Sequence, residues 1–122
     1  MTEFLIGIDH IQIAAPPNCE EQARQFYGEL LGMKEIPKPE NLQARGGCWF
    51  QCGTQEVHIG VQADFTPAKK AHPGFTVRAL EELKSRLIAA DCTITEEPPI
   101  AGRARFFTND PFGNRIEFLE FD

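Results

Sequence analysis

Three histidines and one glutamate carry the chemistry that this chain is best equipped to do, and each lies in a short alternating run. His10 sits in Ile8-Asp-His-Ile-Gln-Ile13, His58 in Glu56-Val-His-Ile-Gly-Val61, His72 in Ala71-His-Pro-Gly-Phe-Thr-Val77, and Glu117 in Asn114-Arg-Ile-Glu-Phe-Leu119. Side chains of a strand alternate between its faces, so Ile11/Ile13, Val57/Ile59, Phe75/Val77 and Ile116/Phe118 are expected to turn to a core. The imidazoles and the carboxylate then share the opposite face. Three nitrogen donors and one oxygen donor on the polar side of one curved sheet suit a divalent transition metal.

The same phase carries other candidates. Gln12 stands two residues from His10, and Trp49 and Gln51 alternate against Cys48, Phe50 and Cys52. Arg103, Arg105 and Phe107 share one phase, and Arg115 shares that of Glu117. Gln12, Trp49, Gln51, Arg105, Phe107 and Arg115 are therefore expected to contact substrate, an arginine there being suited to grip a carboxylate through two donors. The four cysteines, Cys19, Cys48, Cys52 and Cys92, form no Cys-x-x-Cys pair. Cys48 and Cys52 on one strand would stand about 13 Å apart, at roughly 3.3 Å per residue, too far to chelate one ion. They read as reduced thiols, packed as small apolar groups where they face the core, which points to the cytoplasm.

To position these groups the chain needs strands, and its pattern supplies them twice. A strand over about 5–15 ends at Pro16-Pro17. Asn18 with Glu21 then reads as a helix cap, followed by Ala23, Phe26, Tyr27, Leu30 and Leu31 at helical spacing as far as Gly32. Gly28 inside this helix marks a close approach, and Tyr27 reads as core. Strands are expected near 33–37, 48–52 and 56–62, with a loop over 37–46. A second unit opens at His72: a strand to Val77, a helix with Leu80, Leu83, Leu87 and Ile88 on one side, then strands near 93–96, 103–108 and 114–121. Asn109-Asp-Pro-Phe-Gly113 between the last two is a tight turn. His72 follows His10 by 62 residues and Glu117 follows His58 by 59, near-equal offsets that indicate a duplicated module. The expectation is one α+β domain over 1–122, with module one about 1–65, module two about 66–122, and a short link between them.

Composition narrows the partners. With a net charge of −6 and no basic stripe, the chain is a poor match for nucleic acid or an anionic membrane surface. Its first residues do not read as a signal peptide, and no run approaches the roughly 18 apolar residues of a membrane span.

Asp9-His10-Ile-Gln-Ile, the run Ala23-Arg-Gln-Phe-Tyr-Gly-Glu-Leu-Leu-Gly-Met33 and the ending Asn109-Asp-Pro-Phe-Gly-Asn-Arg-Ile-Glu-Phe-Leu-Glu120 resemble the vicinal-oxygen-chelate superfamily. That group includes glyoxalase I, extradiol dioxygenases, methylmalonyl-CoA epimerase, and the fosfomycin and bleomycin resistance proteins. The resemblance implies paired βαβββ modules curving around a metal and a substrate chelated through adjacent oxygens. It implies ligation by His10, His58, His72 and Glu117, with iron, nickel, zinc, cobalt or manganese as the ion. It also implies a homodimer, since members of this length often build each site from both chains. Glyoxalase I typically has a glutamate at the position of His58. The imidazole here argues against a lactoylglutathione lyase and leaves His58 as fourth ligand or as acid/base. His10, His72 and Glu117 match the two-histidine, one-carboxylate triad of the extradiol dioxygenases. The expectation is a metal-dependent lyase, isomerase or ring-cleaving dioxygenase acting on a small molecule, with His58 and Glu117 catalytic. The alternative is a metal-free, drug-binding protein of the bleomycin-resistance kind, a reading that the acidic balance suits.

Overall fold

Alternation and turn chemistry divide the chain into two copies of one arrangement. In the computed structural model, which describes residues 3–121, the first copy holds β1 (His10–Ala15), β2 (Lys34–Ile36), β3 (Cys48–Cys52) and β4 (Gln55–Val61). The second holds β5 (Gly74–Val77), β6 (Thr95–Ile100), β7 (Arg103–Asn109) and β8 (Arg115–Glu120). Each copy forms a four-stranded mixed sheet, ordered β1-β4-β3-β2 and β5-β8-β7-β6. The first strand of each runs parallel to the last, which the crossover through the helix makes possible; the remaining pairs are antiparallel. The α+β class and the duplication are thus present, with two separate sheets in place of one continuous one.

The helix of module one begins as α1 (Glu20–Ala23) and continues as a π-helical stretch, Arg24–Leu30, in which the Leu31 amide donates to the Phe26 carbonyl at 2.9 Å. It buries Ala23, Phe26 and Tyr27. The expected Asn18 cap does not form. Asn18 adopts a left-handed φ of 63° after the proline pair, and Cys19 occupies the capping position without a side-chain bond. Glu20 instead accepts the Gly47 amide at 2.6 Å. Gly28 lies against Phe50, where an added Cβ would stand 3.4 Å from Cε1, which explains a small residue in mid-helix.

In module two, α2 (Leu80–Ala89) buries Leu80 and Leu87 and partly buries Leu83. Ile88 departs from the expected stripe and is exposed, because it follows Leu87 by one residue and turns about 100° away from it. β6 is exposed throughout and tolerates Pro98-Pro99 because it is an edge strand, with a register shift between Glu97 and Ile100. β1 starts at His10, later than expected; residues 3–9 join no strand, and Phe4, Leu5, Ile6 and Ile8 lie exposed. The supposed loop over 37–46 contains a 3₁₀ turn, Glu40–Arg45.

One buried cluster holds residues of both modules, from Ile13, Tyr27 and Phe50 to Leu87, Phe106 and Phe118. A polar link crosses between them. Tyr27 donates to Asp110 Oδ2 at 2.6 Å, and Asp110 also accepts the amides of Phe112 and Asn114 and the Asn114 side chain. Asn114 Nδ2 reaches the Ala14 carbonyl of β1 at 2.8 Å. Burial and the carboxylate raise the Tyr27 phenol well above its ordinary range, so it acts as a donor throughout.

Candidate metal and substrate site

The polar face of module one is a stack of rings. Parallel pairing of β1 with β4 sets Gln12 opposite His58, and antiparallel pairing of β3 with β4 sets Trp49 opposite His58. Trp49 and His58 stack with centroids 3.6 Å apart and planes 2° apart; His58 and His10 follow at 4.1 Å and 17°. His58 is buried between them, whereas His10 is exposed. One nitrogen of each imidazole is taken: His10 Nδ1 meets Asp9 Oδ2 at 2.8 Å, and His58 Nε2 meets Glu56 Oε1 at 2.9 Å. The other nitrogen of each ring, Nε2 of His10 and Nδ1 of His58, remains to bind a ligand. Metal-binding histidines are commonly oriented in this way, with the second ring nitrogen on a carboxylate or carbonyl.

Gln12 folds across Gly60, where an added Cβ would stand 2.6 Å from its amide nitrogen, so a larger residue there would displace the Gln12 side chain. Gln51 bonds the carbonyls of Gly53 and Gln55 at 2.9 and 3.1 Å, which anchors it to the β3–β4 turn. Its amide is occupied in holding that turn.

The polar face of module two is a charged network. Glu117 is buried on β8 and accepts Arg105 Nη1 at 3.0 Å on Oε2, while His72 Nε2 lies 3.0 Å from Oε1. His72 Nδ1 faces the Lys70 carbonyl at 3.0 Å. Both ring nitrogens of His72 therefore face oxygen acceptors. A neutral imidazole has one N–H and one lone pair, so one of these contacts needs a further cation, either a second proton or a metal ion. His72 and Glu117 would be the residues of module two to hold such an ion, an imidazole and a carboxylate being donor types that divalent transition metals take. The donor types and their oriented nitrogens fit a divalent cation. Phe107 packs edge-on against His72 at 4.8 Å, beneath Arg105 and Arg115.

The four candidate donors are thus brought together in two pairs, His10 with His58 and His72 with Glu117. Among the described residues, no three His, Cys, Asp or Glu side chains of one protomer gather around a common point. Asp9 and Glu56 are the polar groups that the sequence reading missed. Glu56 stands two residues before His58 on one strand, so alternation alone puts both on the same face.

The thiols lie outside this site. Cys19 and Cys48 are buried in the core, and burial pushes the Cys48 thiol up to about 12. No described helix is long and apolar enough to cross a membrane.

The family model of the Glyoxalase/Bleomycin resistance protein/Dioxygenase superfamily matches residues 7–118, and the chain belongs to that family. It is 54% identical to a glyoxalase family protein from Bacillus anthracis of known structure, over 100% of both chains with a TM-score of 0.95. It is 19% identical to the lactoylglutathione lyase of Agrobacterium tumefaciens, covering 97% of this chain and 96% of that one, TM-score 0.75. It is 16% identical to the fosfomycin resistance protein FosX of Listeria monocytogenes, solved with Mn(II) and dihydroxypropylphosphonic acid, covering 98% and 95%, TM-score 0.79. At such identity the last two share the fold. No curated protein matches the chain.

Proposed function

We propose that this protein is a metal-dependent enzyme acting on a small substrate chelated through vicinal oxygens, by proton transfer and isomerisation, lyase chemistry or ring cleavage. His10, His72 and Glu117 hold the ion, and His58 serves as fourth ligand or as the base. The observation that carries the reading is His72, whose two nitrogens both face oxygen acceptors across 3.0 Å. A bound divalent ion supplies Lewis acidity to two neighbouring substrate oxygens. The chain's own groups do the rest: Asp9 and Glu56 hold the imidazoles of His10 and His58 in register, and Trp49 keeps one face of His58 from water. The Mn(II) in the FosX complex is consistent with this reading.

The working form is a homodimer in which module one of one chain completes module two of the other. The separation of the donors into two pairs supports this, as do the four exposed apolar residues of the Phe4–Ile8 arm leading into His10. The free thiols and acidic charge suit a cytoplasmic setting.

Untagged protein is expected to carry about one equivalent of transition metal per site by elemental analysis, and His10→Ala and His72→Ala variants to lose it. Unfolding and refolding the two variants together should restore occupancy at half the sites of the mixed dimer. No recovery on mixing rejects the shared site, and wild-type protein that takes up no ion favours a metal-free binder.

A further inference from the structure

Module two presents more positive charge than its own carboxylate consumes. The guanidinium carbons of Arg105 and Arg115 lie 5.6 and 4.4 Å from the centroid of Phe107. Register puts them on one face with Glu117, because Phe107 pairs with Glu117 and Asn109 with Arg115 across β7 and β8. A guanidinium has five N–H donors. Arg105 uses Nε on the Pro98 carbonyl at 2.7 Å and Nη1 on Glu117. Arg115 makes one long contact, Nη1 to the Lys70 carbonyl at 3.3 Å. Most of its donors are free.

Among the described residues, Glu117 is the one carboxylate paired with either arginine. Glu97, cross-strand from Arg105, is exposed and makes no ion pair with it. This concentration of unspent guanidinium donors occurs in a chain whose net charge is −6. Arg115 also lines a cavity of about 400 Å³ with His72 and Gln12, between β1 and the segment leading into β5. Cavities of roughly 300–1,000 Å³ hold small ligands. Cation–π packing alone would account for the position of Arg115, but not for donors left open beside a cavity that also reaches a candidate metal ligand.

We propose that the substrate carries an oxyanion, either a carboxylate or a phosphate-type group, and that Arg115, assisted by Arg105, grips it beside the His72–Glu117 pair. Planar guanidinium donors match both kinds of oxyanion through two parallel hydrogen bonds. The proposal rests on the metal-enzyme reading for the chelated end of the substrate only; the anion grip belongs to the chain's own residues.

Three probes separate the two ends: catechol, 3,4-dihydroxybenzoate and 3,4-dihydroxyphenylphosphonate, which share vicinal hydroxyls and differ in the anion. Each is titrated calorimetrically into the protein as purified, with and without added Mn²⁺, at low salt. The anionic probes are expected to bind about tenfold or more tighter than catechol, the scale of a charge-assisted hydrogen bond. That advantage should vanish in Arg115→Gln and persist in part in Arg115→Lys. The ratio between the two anionic probes tells carboxylate from phosphonate. Equal affinity of wild type for all three probes overturns the proposal, as does an anion preference unchanged in both Arg115→Gln and Arg105→Lys. Failure of Mn²⁺ to tighten any probe, with the anion preference intact, counts against the metal reading and leaves this one standing.

Discussion

The two modules share a skeleton and differ on the face that does chemistry. Both pair their first strand parallel to their last and bury the same alternate positions of that last strand, Val57 and Ile59 in one and Ile116 and Phe118 in the other. On the polar face, module one offers stacked rings, Trp49, His58 and His10, with a carboxylate on one nitrogen of each imidazole. Module two offers a buried carboxylate held between an imidazole and a guanidinium. Burial of the inward phase is what folds each copy, so both copies carry apolar residues there. The outward phase contributes little to the core, so folding leaves its residue types open. The difference predicts that donors of module two are structural as well as chemical, whereas His10 is chemical alone.

The largest effect is expected where the modules join. Asp110 is buried and accepts four hydrogen bonds, from Tyr27, the Phe112 and Asn114 amides and the Asn114 side chain. Asp110→Ala orphans several buried donors at about 1–3 kcal/mol each, so a loss of roughly 4 kcal/mol is expected. Tyr27→Phe should cost about 1–2 kcal/mol, because Asp110 keeps its other donors. Urea melts followed by Trp49 fluorescence, which reports on module one, should shift with those followed by far-ultraviolet circular dichroism. Separate transitions would mean that the copies fold independently.

Next comes the asymmetry between the donor pairs. Glu117→Ala strips Arg105 of its carboxylate in a mostly buried setting, where the side chains are 8% and 18% exposed. About 2–3 kcal/mol should be lost, towards the low end for such a pair because Arg105 keeps some solvent. His10→Ala removes an exposed ring and should change stability by less than about 1 kcal/mol. Both variants should lose bound metal. Equal destabilisation by the two substitutions would erase the distinction between the modules.

How much of this could be read from residues alone depends on which force places each residue. Strands β3, β4 and β8 are legible because alternation reflects burial, and burial of Phe50, Val57 and Ile116 is nearly complete. Tyr27 and the Gly28 contact follow from helical spacing for the same reason. Asn18 misled because cap preference is a local energy of about 1 kcal/mol, which the left-handed turn after Pro16-Pro17 overrides. Ile88 misled because an apolar residue at the margin of a stripe carries no mark of which side it takes. The polar face was legible as a phase and illegible as a constellation. Alternation says that His10 and Glu117 look outward, but the angle between two sheets is set by packing between modules, which no local pattern encodes.

The smallest effect concerns how module one holds its helix without a side-chain cap. Glu20 accepts the Gly47 amide, and that bond, followed by its own backbone amide, lowers the Glu20 carboxyl below its ordinary value. Gly47 can present its N–H there because φ is +83°, and an added Cβ would fall 2.0 Å from the Ile59 carbonyl oxygen. A folded-state pKa below the unfolded one stabilises the protein above the unfolded value, near 4.5, and that contribution is lost as pH falls through the folded value. Glu20→Gln should therefore cost about 1 kcal/mol or less near pH 7, a figure kept small because the group is partly exposed. The two proteins should converge once the pH has fallen through the lowered folded-state value. At the start of α2, Ala79 occupies the capping position without a side-chain bond, and Glu81 of the first turn is exposed and meets Lys84 only at 3.5 Å. Amide exchange measured at pH 6 and again well below the ordinary carboxylate range should thus loosen the start of α1 in wild type more than the start of α2. If both helix starts loosen alike, or the Glu20→Gln difference survives after the Glu20 carboxyl is protonated in the folded protein, the tie is not what holds the helix of module one.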